Sequence, residues 1–203
     1  MKIRSVTTIV AALVAVGLTQ IPVAAAGGRI QGTVKATGLA SNAGAIVYIV
    51  QASGKFVAPT KPVDMNQRNL QFAPPVLPLV TGTTVRFLNS DPSAHNVFSP
   101  DHEKYNLGTW PQGQTKDHTF ATCAKAPCVY VQLCRVHPEM EAYIVVLQNP
   151  FFAVTTADGQ FQINGVPPGT YSLAVWHAKG KAQPKTVTVD VATPLVVDFT
   201  VGR

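Results

Sequence analysis

Cys134-Arg135-Val136-His137-Pro138-Glu139-Met140 places a thiol, an imidazole and a thioether within seven residues. Soft thiolate and thioether donors together with imidazole select copper. Two histidines, one cysteine and a weak axial methionine make the donor set of copper electron-transfer sites. The loop itself holds one of each donor and lacks the second histidine. His95, 39 residues upstream of Cys134, can supply it. The predicted metal ligands are therefore His95, Cys134, His137 and Met140, holding one copper ion. Zinc is the competitor, since a cysteine and two histidines with a fourth donor can bind it, but methionine is a poor zinc ligand.

Such donors must be carried by strands joined by short loops. Val129-Tyr130-Val131-Gln132-Leu133-Cys134 alternates cleanly, with Tyr130, Gln132 and Cys134 on one face. Tyr143 to Leu147 reads as the next strand, so the ligand loop is a short strand-to-strand connection. Arg29 to Val34 and the apolar run Ala45 to Val50 read as strands near the N-terminus, the latter buried on both faces. Residues 53 to 62 read as a linker, and residues 89 to 117 as polar loops around His95. Phe152 to Thr156 and Gly159 to Ile163 flank Asp158-Gly159, a hairpin signal. Further alternation follows at Tyr171 to His177, Val187 to Val191 and Val197 to Val201. With 15 Gly and 16 Pro in 203 residues and no amphipathic helix beyond the N-terminus, the chain is predicted to be all-β.

This donor order, with its short Cys-x-x-His-x-x-Met loop, resembles the cupredoxin family, the loop being like that of amicyanin. The stretch Val80 to Asn96 resembles that family's approach to its first ligand. The resemblance implies a Greek-key β-sandwich over about residues 63–148 and a role for Asn96 in tying the two ligand loops together. Ala157 to Phe161, Val166 to Tyr171 and Val196 to Thr200 resemble the carboxypeptidase regulatory-like, or transthyretin-like, β-sandwich, whose opening strands look like Arg29 to Val34 and Ala45 to Val50. The expected organisation is a cupredoxin domain at 59–148 inserted into a regulatory-like sandwich made of 27–58 plus 149–203. The whole mature chain, after residue 26, also resembles a group of bacterial plastocyanin-like proteins labelled methylamine utilization proteins.

Lys2 and Arg4, an apolar stretch from Ile9 to Leu18 and the small residues Ala24 to Ala26 read as a signal peptide over residues 1–26, with cleavage near Ala26. A periplasmic or secreted location and no membrane span after cleavage follow from this reading. Export permits disulfides. Three cysteines leave one unpaired. Cys123 and Cys128 flank Ala124 to Pro127 and are expected to bridge, which frees Cys134 as a ligand. His102, His118 and His177 read as surface or packing residues, and Glu139 and Glu141 as solvent-facing.

The full chain carries 16 Lys and Arg against 10 Asp and Glu; without Lys2 and Arg4 the formal charge is +4. The basic residues form no run, which argues against nucleic acid and for a protein partner acidic at its docking surface. No triad, phosphate loop or carboxylate pair suggests an enzyme. The expected function is an exported type 1 copper protein that carries single electrons between redox partners, such as a cytochrome or a periplasmic dehydrogenase. Two alternatives from other classes are a copper carrier or buffer and a structural sandwich with a vestigial metal loop.

Overall fold

β-branched and aromatic residues at alternate positions build seventeen strands in the computed structural model, which describes residues 27–203. The signal peptide expected over residues 1–26 lies outside the described residues. In chain order the first two strands are β1 (Gly28–Ala36) and β2 (Ile46–Ile49). Nine follow: β3 (Val63–Arg68), β4 (Gln71–Ala73), β5 (Val76–Val80), β6 (Thr84–Asn89), β7 (His95–Ser99), β8 (Tyr105–Trp110), β9 (Thr115–Thr119), β10 (Cys128–Leu133) and β11 (Glu141–Leu147). The last six are β12 (Phe152–Val154), β13 (Gln160–Val166), β14 (Gly169–Trp176), β15 (Lys185–Val189), β16 (Leu195–Val196) and β17 (Phe199–Val201).

Pairing sorts these strands into two groups, so the molecule is all-β with two packed pairs of sheets. In the outer group β1 is flanked by β13 on one side and by β16 and β17 on the other. Its second sheet runs β12-β2-β14-β15. In the inner group the sheets run β5-β11-β10-β7-β8 and β4-β3-β6-β9. The chain leaves the outer group after β2 and re-enters it at β12. At that crossing the Ala52 N–H donates to Gln148 Oε1 at 3.0 Å and Gln148 Nε2 donates to the Ala52 carbonyl at 3.1 Å.

Each group has its own apolar core. Ile30, Val34, Val47, Ile49, Phe161, Leu173 and Phe199 meet in the outer one. Met65, Phe87, Trp110, Phe120, Tyr130 and Ile144 meet in the inner one. A third cluster joins the groups. β11 sends Ile144 and Val146 into the inner core and Val145 and Leu147 into this junction. β2, buried along its length, likewise sends Val47 and Ile49 into the outer core and Ile46 and Tyr48 to the junction. This explains its unbroken apolar run. Gly32 is required by close approach: a Cβ there would collide with the Val197 carbonyl oxygen between β16 and β17.

Two expectations need correction. Residues 89–117 are not loops, because β7, β8 and the start of β9 lie there. β9 has no apolar residue and is held by backbone pairing with β6 at a sheet edge, while β8 is an edge strand with Gly108 at φ +79°. Neither produces an apolar alternation. The Asp158-Gly159 turn is also not a hairpin between paired strands. The turn forms, with Gly159 at φ +79°, but β12 pairs with β2 and β13 with β1, in different sheets.

Candidate metal centre

Antiparallel pairing of β7 with β10, with Leu133 opposite Phe98, carries the start of β7 to the level of the residues after β10. His95 opens β7 and Cys134 follows β10, so the two side chains meet although 39 residues separate them. His137 lies three residues past Cys134 in the loop to β11, and the Met140 N–H donates to the His137 carbonyl at 3.0 Å, closing that loop tightly. Cys134 Sγ is 3.9 Å from His95 Nδ1 and 3.9 Å from His137 Nδ1, and the two Nδ1 atoms are 3.0 Å apart. These three side chains could hold a metal ion, their candidate donor atoms all lying within 4.8 Å of one another. Met140, the fourth predicted residue, is buried in the same core cluster as Cys134. His95 and Cys134 are buried as well, and His137 is half-buried, the most open of the four.

Cys123 and Cys128 are joined by a disulfide and Cys134 is the free, buried thiol. Its sulfur accepts from the Asn96 N–H at 3.4 Å. Asn96 Oδ1 accepts from the Arg135 N–H at 3.4 Å, while its Nδ2 donates to Asn106 Oδ1 and the Gly108 carbonyl, each at 2.8 Å. One buried amide therefore ties β7, β8 and the ligand loop together.

The residue missed in the sequence is Asp91. Its Oδ2 lies 2.9 Å from His95 Nε2. The same carboxylate accepts from the Asn69 N–H at 2.6 Å and the Leu70 N–H at 2.9 Å. Burial alone would raise its pKa, but the backbone donors of Leu70 and Asn69, followed by the His95 ring, outweigh burial and hold it below the usual carboxylate range. A carboxylate on Nε2 favours the tautomer with its proton there, which leaves the Nδ1 lone pair facing Cys134. Nothing in Ser90-Asp91-Pro92-Ser93 distinguishes Asp91 from an ordinary turn residue.

The donor set fits copper. A buried free thiol, two imidazole nitrogens and a nearby buried thioether are soft and borderline donors. The partners of His95 and Cys134 are in place around them.

The remaining histidines stay apart from this group. His118 stacks on Tyr105 at 3.8 Å between ring centroids, and burial lowers its pKa. His102 packs on Tyr130. His177 Nδ1 accepts from the Lys179 N–H at 3.1 Å. Buried Tyr130 and half-buried Tyr105 also find partners that the sequence does not announce: Tyr130 donates to Glu103, and Tyr105 to Gln132.

Residues 140–202 match the Carboxypeptidase regulatory-like domain family. No curated protein matches the chain. Among solved structures, a reduced variant of amicyanin is 21% identical over 43% of this chain and 84% of that one, with a TM-score of 0.38. A purple cupredoxin from Nitrosopumilus maritimus is 23% identical over 41% and 97%, with a TM-score of 0.36. A copper-containing nitrite reductase from Thermus scotoductus SA-01 is 25% identical over 56% of this chain and 28% of that one, with a TM-score of 0.39.

Proposed function

We propose that the chain is an exported type 1 copper protein that carries single electrons between redox partners. The observation that supports this most strongly is the convergence of His95 Nδ1, His137 Nδ1 and the free thiol, Cys134 Sγ, within 4.8 Å of one another. His95, Cys134, His137 and Met140 are the ligands in this reading. Copper bound there supplies one-electron chemistry. Asp91 fixes the His95 ring, and the Asn96 N–H donates to the sulfur and so moderates its charge. Burial of three of the four side chains excludes water and keeps the environment rigid, so little reorganisation accompanies a change of charge.

His137 is the electron port, being the least buried member. Beside it Val136 is 46% exposed and Pro138 is exposed. The Arg135 guanidinium sits 5.0 Å from the Phe98 ring centroid and rims this apolar patch. Such a patch suits a small, transient interface with a redox protein. The disulfide accords with an oxidising compartment, periplasmic or extracellular.

Adding Cu(II) to purified protein and recording optical and EPR spectra tests the reading. An intense visible thiolate-to-copper band and reversible voltammetry are expected. A copper-loaded protein without the band would overturn the type 1 assignment. Binding of Cu(I) alone with rapid release would point to carriage instead.

A further inference from the structure

The electron port has a basic neighbour, and it belongs to the other group of strands. The segments 27–58 and 149–203 carry 7 Lys and Arg against 3 Asp and Glu, whereas 59–148 carries 7 of each. The excess positive charge of the described chain therefore lies wholly in the outer strands, while the part that holds the proposed ligands is formally neutral.

The junction fixes where that charge points. The Trp176 ring at the end of β14 lies 5.3 Å, centroid to centroid, from the Tyr143 ring, and Tyr143 is three residues past Met140. At the opposite end of the same junction, Asn149 Nδ2 donates to the Ile49 carbonyl at 2.8 Å. β2 and β11 therefore run in the same sense, and the end of the outer group that holds the β14–β15 connection lies on the ligand-loop side. His177 pairs with Gly180 and Lys181 with Gly202, so this connection is a pinned turn with Lys179 near its tip. Lys35, opposite Thr200 on β17, lies at the same end. Lys35, Lys179 and Lys181 are exposed, and none has a carboxylate within salt-bridge distance among the described residues. Asp158 is the exposed acid at that end of the outer group, and Glu139 and Glu141 are those of the ligand loop and the strand after it.

We infer that the docking surface is composite: His137 and its apolar rim transfer the electron, and the turn bearing Lys179 and Lys181 on the outer sandwich recruits the partner through an acidic patch on a protein surface. This rests on the electron-carrier reading and adds the surface that selects the partner. Charges beside an interface steer encounter and fix orientation more than they add affinity. Two unpaired lysines on a turn at the ligand-loop end of a formally neutral inner group suit that task, whereas a flat anionic membrane bound there would bury the port.

A deca-aspartate peptide titrated into the metal-free full chain tests this by amide NMR. Peptide-induced shifts are expected in both the Lys179–Lys181 turn and the Arg135–Glu139 loop. The double variant K179E/K181E should weaken the peptide at least about five-fold. R29E/K125E, the same charge change elsewhere on the surface, should leave its affinity within about two-fold. Shifts confined to one of the two segments, or equal losses in both double variants, would overturn the inference. So would binding of the turn to phosphatidylglycerol vesicles without any peptide footprint. Because the titration needs no copper, a colourless copper-loaded protein with an intact footprint would remove the copper assignment alone.

Discussion

Asp91 Oδ2 and His95 Nε2 are 2.9 Å apart and both residues are buried, so the imidazole that faces Cys134 is anchored from behind by a carboxylate. The carboxylate is itself held by two backbone N–H groups from the turn between β3 and β4. Orientation of the proposed ligand His95 thus depends on three separate segments of the inner group. Asp91→Asn keeps the shape and removes the charge. Cu(II) affinity, measured by competition with a chelator, is expected to fall about ten- to hundred-fold, as for other outer-shell partners of metal-bound histidine. An unchanged affinity with a lowered melting temperature would make the contact merely structural.

Met140→Leu should retain most of the visible band and raise the reduction potential, because an axial donor that favours Cu(II) is lost. Cys134→Ser should abolish the band. Spectra and voltammetry on the same samples check both outcomes, and a band that survives in Cys134→Ser would exclude this thiol as the ligand.

The strand pairing leads us to propose that 59–148 is an insert. β1 lies between β13 and the β16–β17 side of its sheet, and β2 lies between β12 and β14. A fragment of residues 149–203 lacks both central strands and is expected to be unfolded or aggregated. Joining 27–58 to it through a short Gly-Ser linker should restore dispersed amide resonances. Cooperative folding of 149–203 alone would show that the two groups are arranged in tandem.

Asp198 Oδ1 accepts from the Thr33 hydroxyl at 2.7 Å and from the Thr33 N–H at 2.8 Å, binding β1 to the bend between β16 and β17. The hydroxyl first, then the N–H, with Lys185 adding attraction, hold its pKa below the ordinary value against a small opposing burial effect. A depressed carboxylate contributes stability above its unfolded pKa of about 4 and loses it as pH falls through the folded value. Asp198→Asn should therefore lower the melting temperature at neutral pH, and the gap to the parent protein should narrow as pH is taken well below about 4. A gap that persists there would mean that packing, not charge, is what the carboxylate provides.

The grouping of His95, Cys134 and His137 and the disulfide were legible in the sequence because each rests on residue type and parity. β10 was legible because buried and half-buried positions alternate along it. β8 and β9 were not, since edge strands exposed on much of both faces need no apolar alternation and are specified by backbone pairing. Asp91 was hidden for a different reason: its three partners, Asn69, Leu70 and His95, come from one turn and a strand that are brought to it only by tertiary folding. Likewise, nothing in Trp176 or Tyr143 alone reveals which end of one sandwich meets which end of the other.

The reciprocal bonds between Ala52 and Gln148 clasp two points 96 residues apart. In an unfolded chain, bringing such points together costs about 4 kcal/mol of loop-closure entropy. Once β3 to β11 have condensed, that loop no longer has to be closed, and β2 and β12 meet as though joined by a short turn. The outer sandwich is thus expected to acquire its structure late, on an inner one already formed. Whatever hastens or slows condensation of the inner strands should then set the pace at which the whole chain matures.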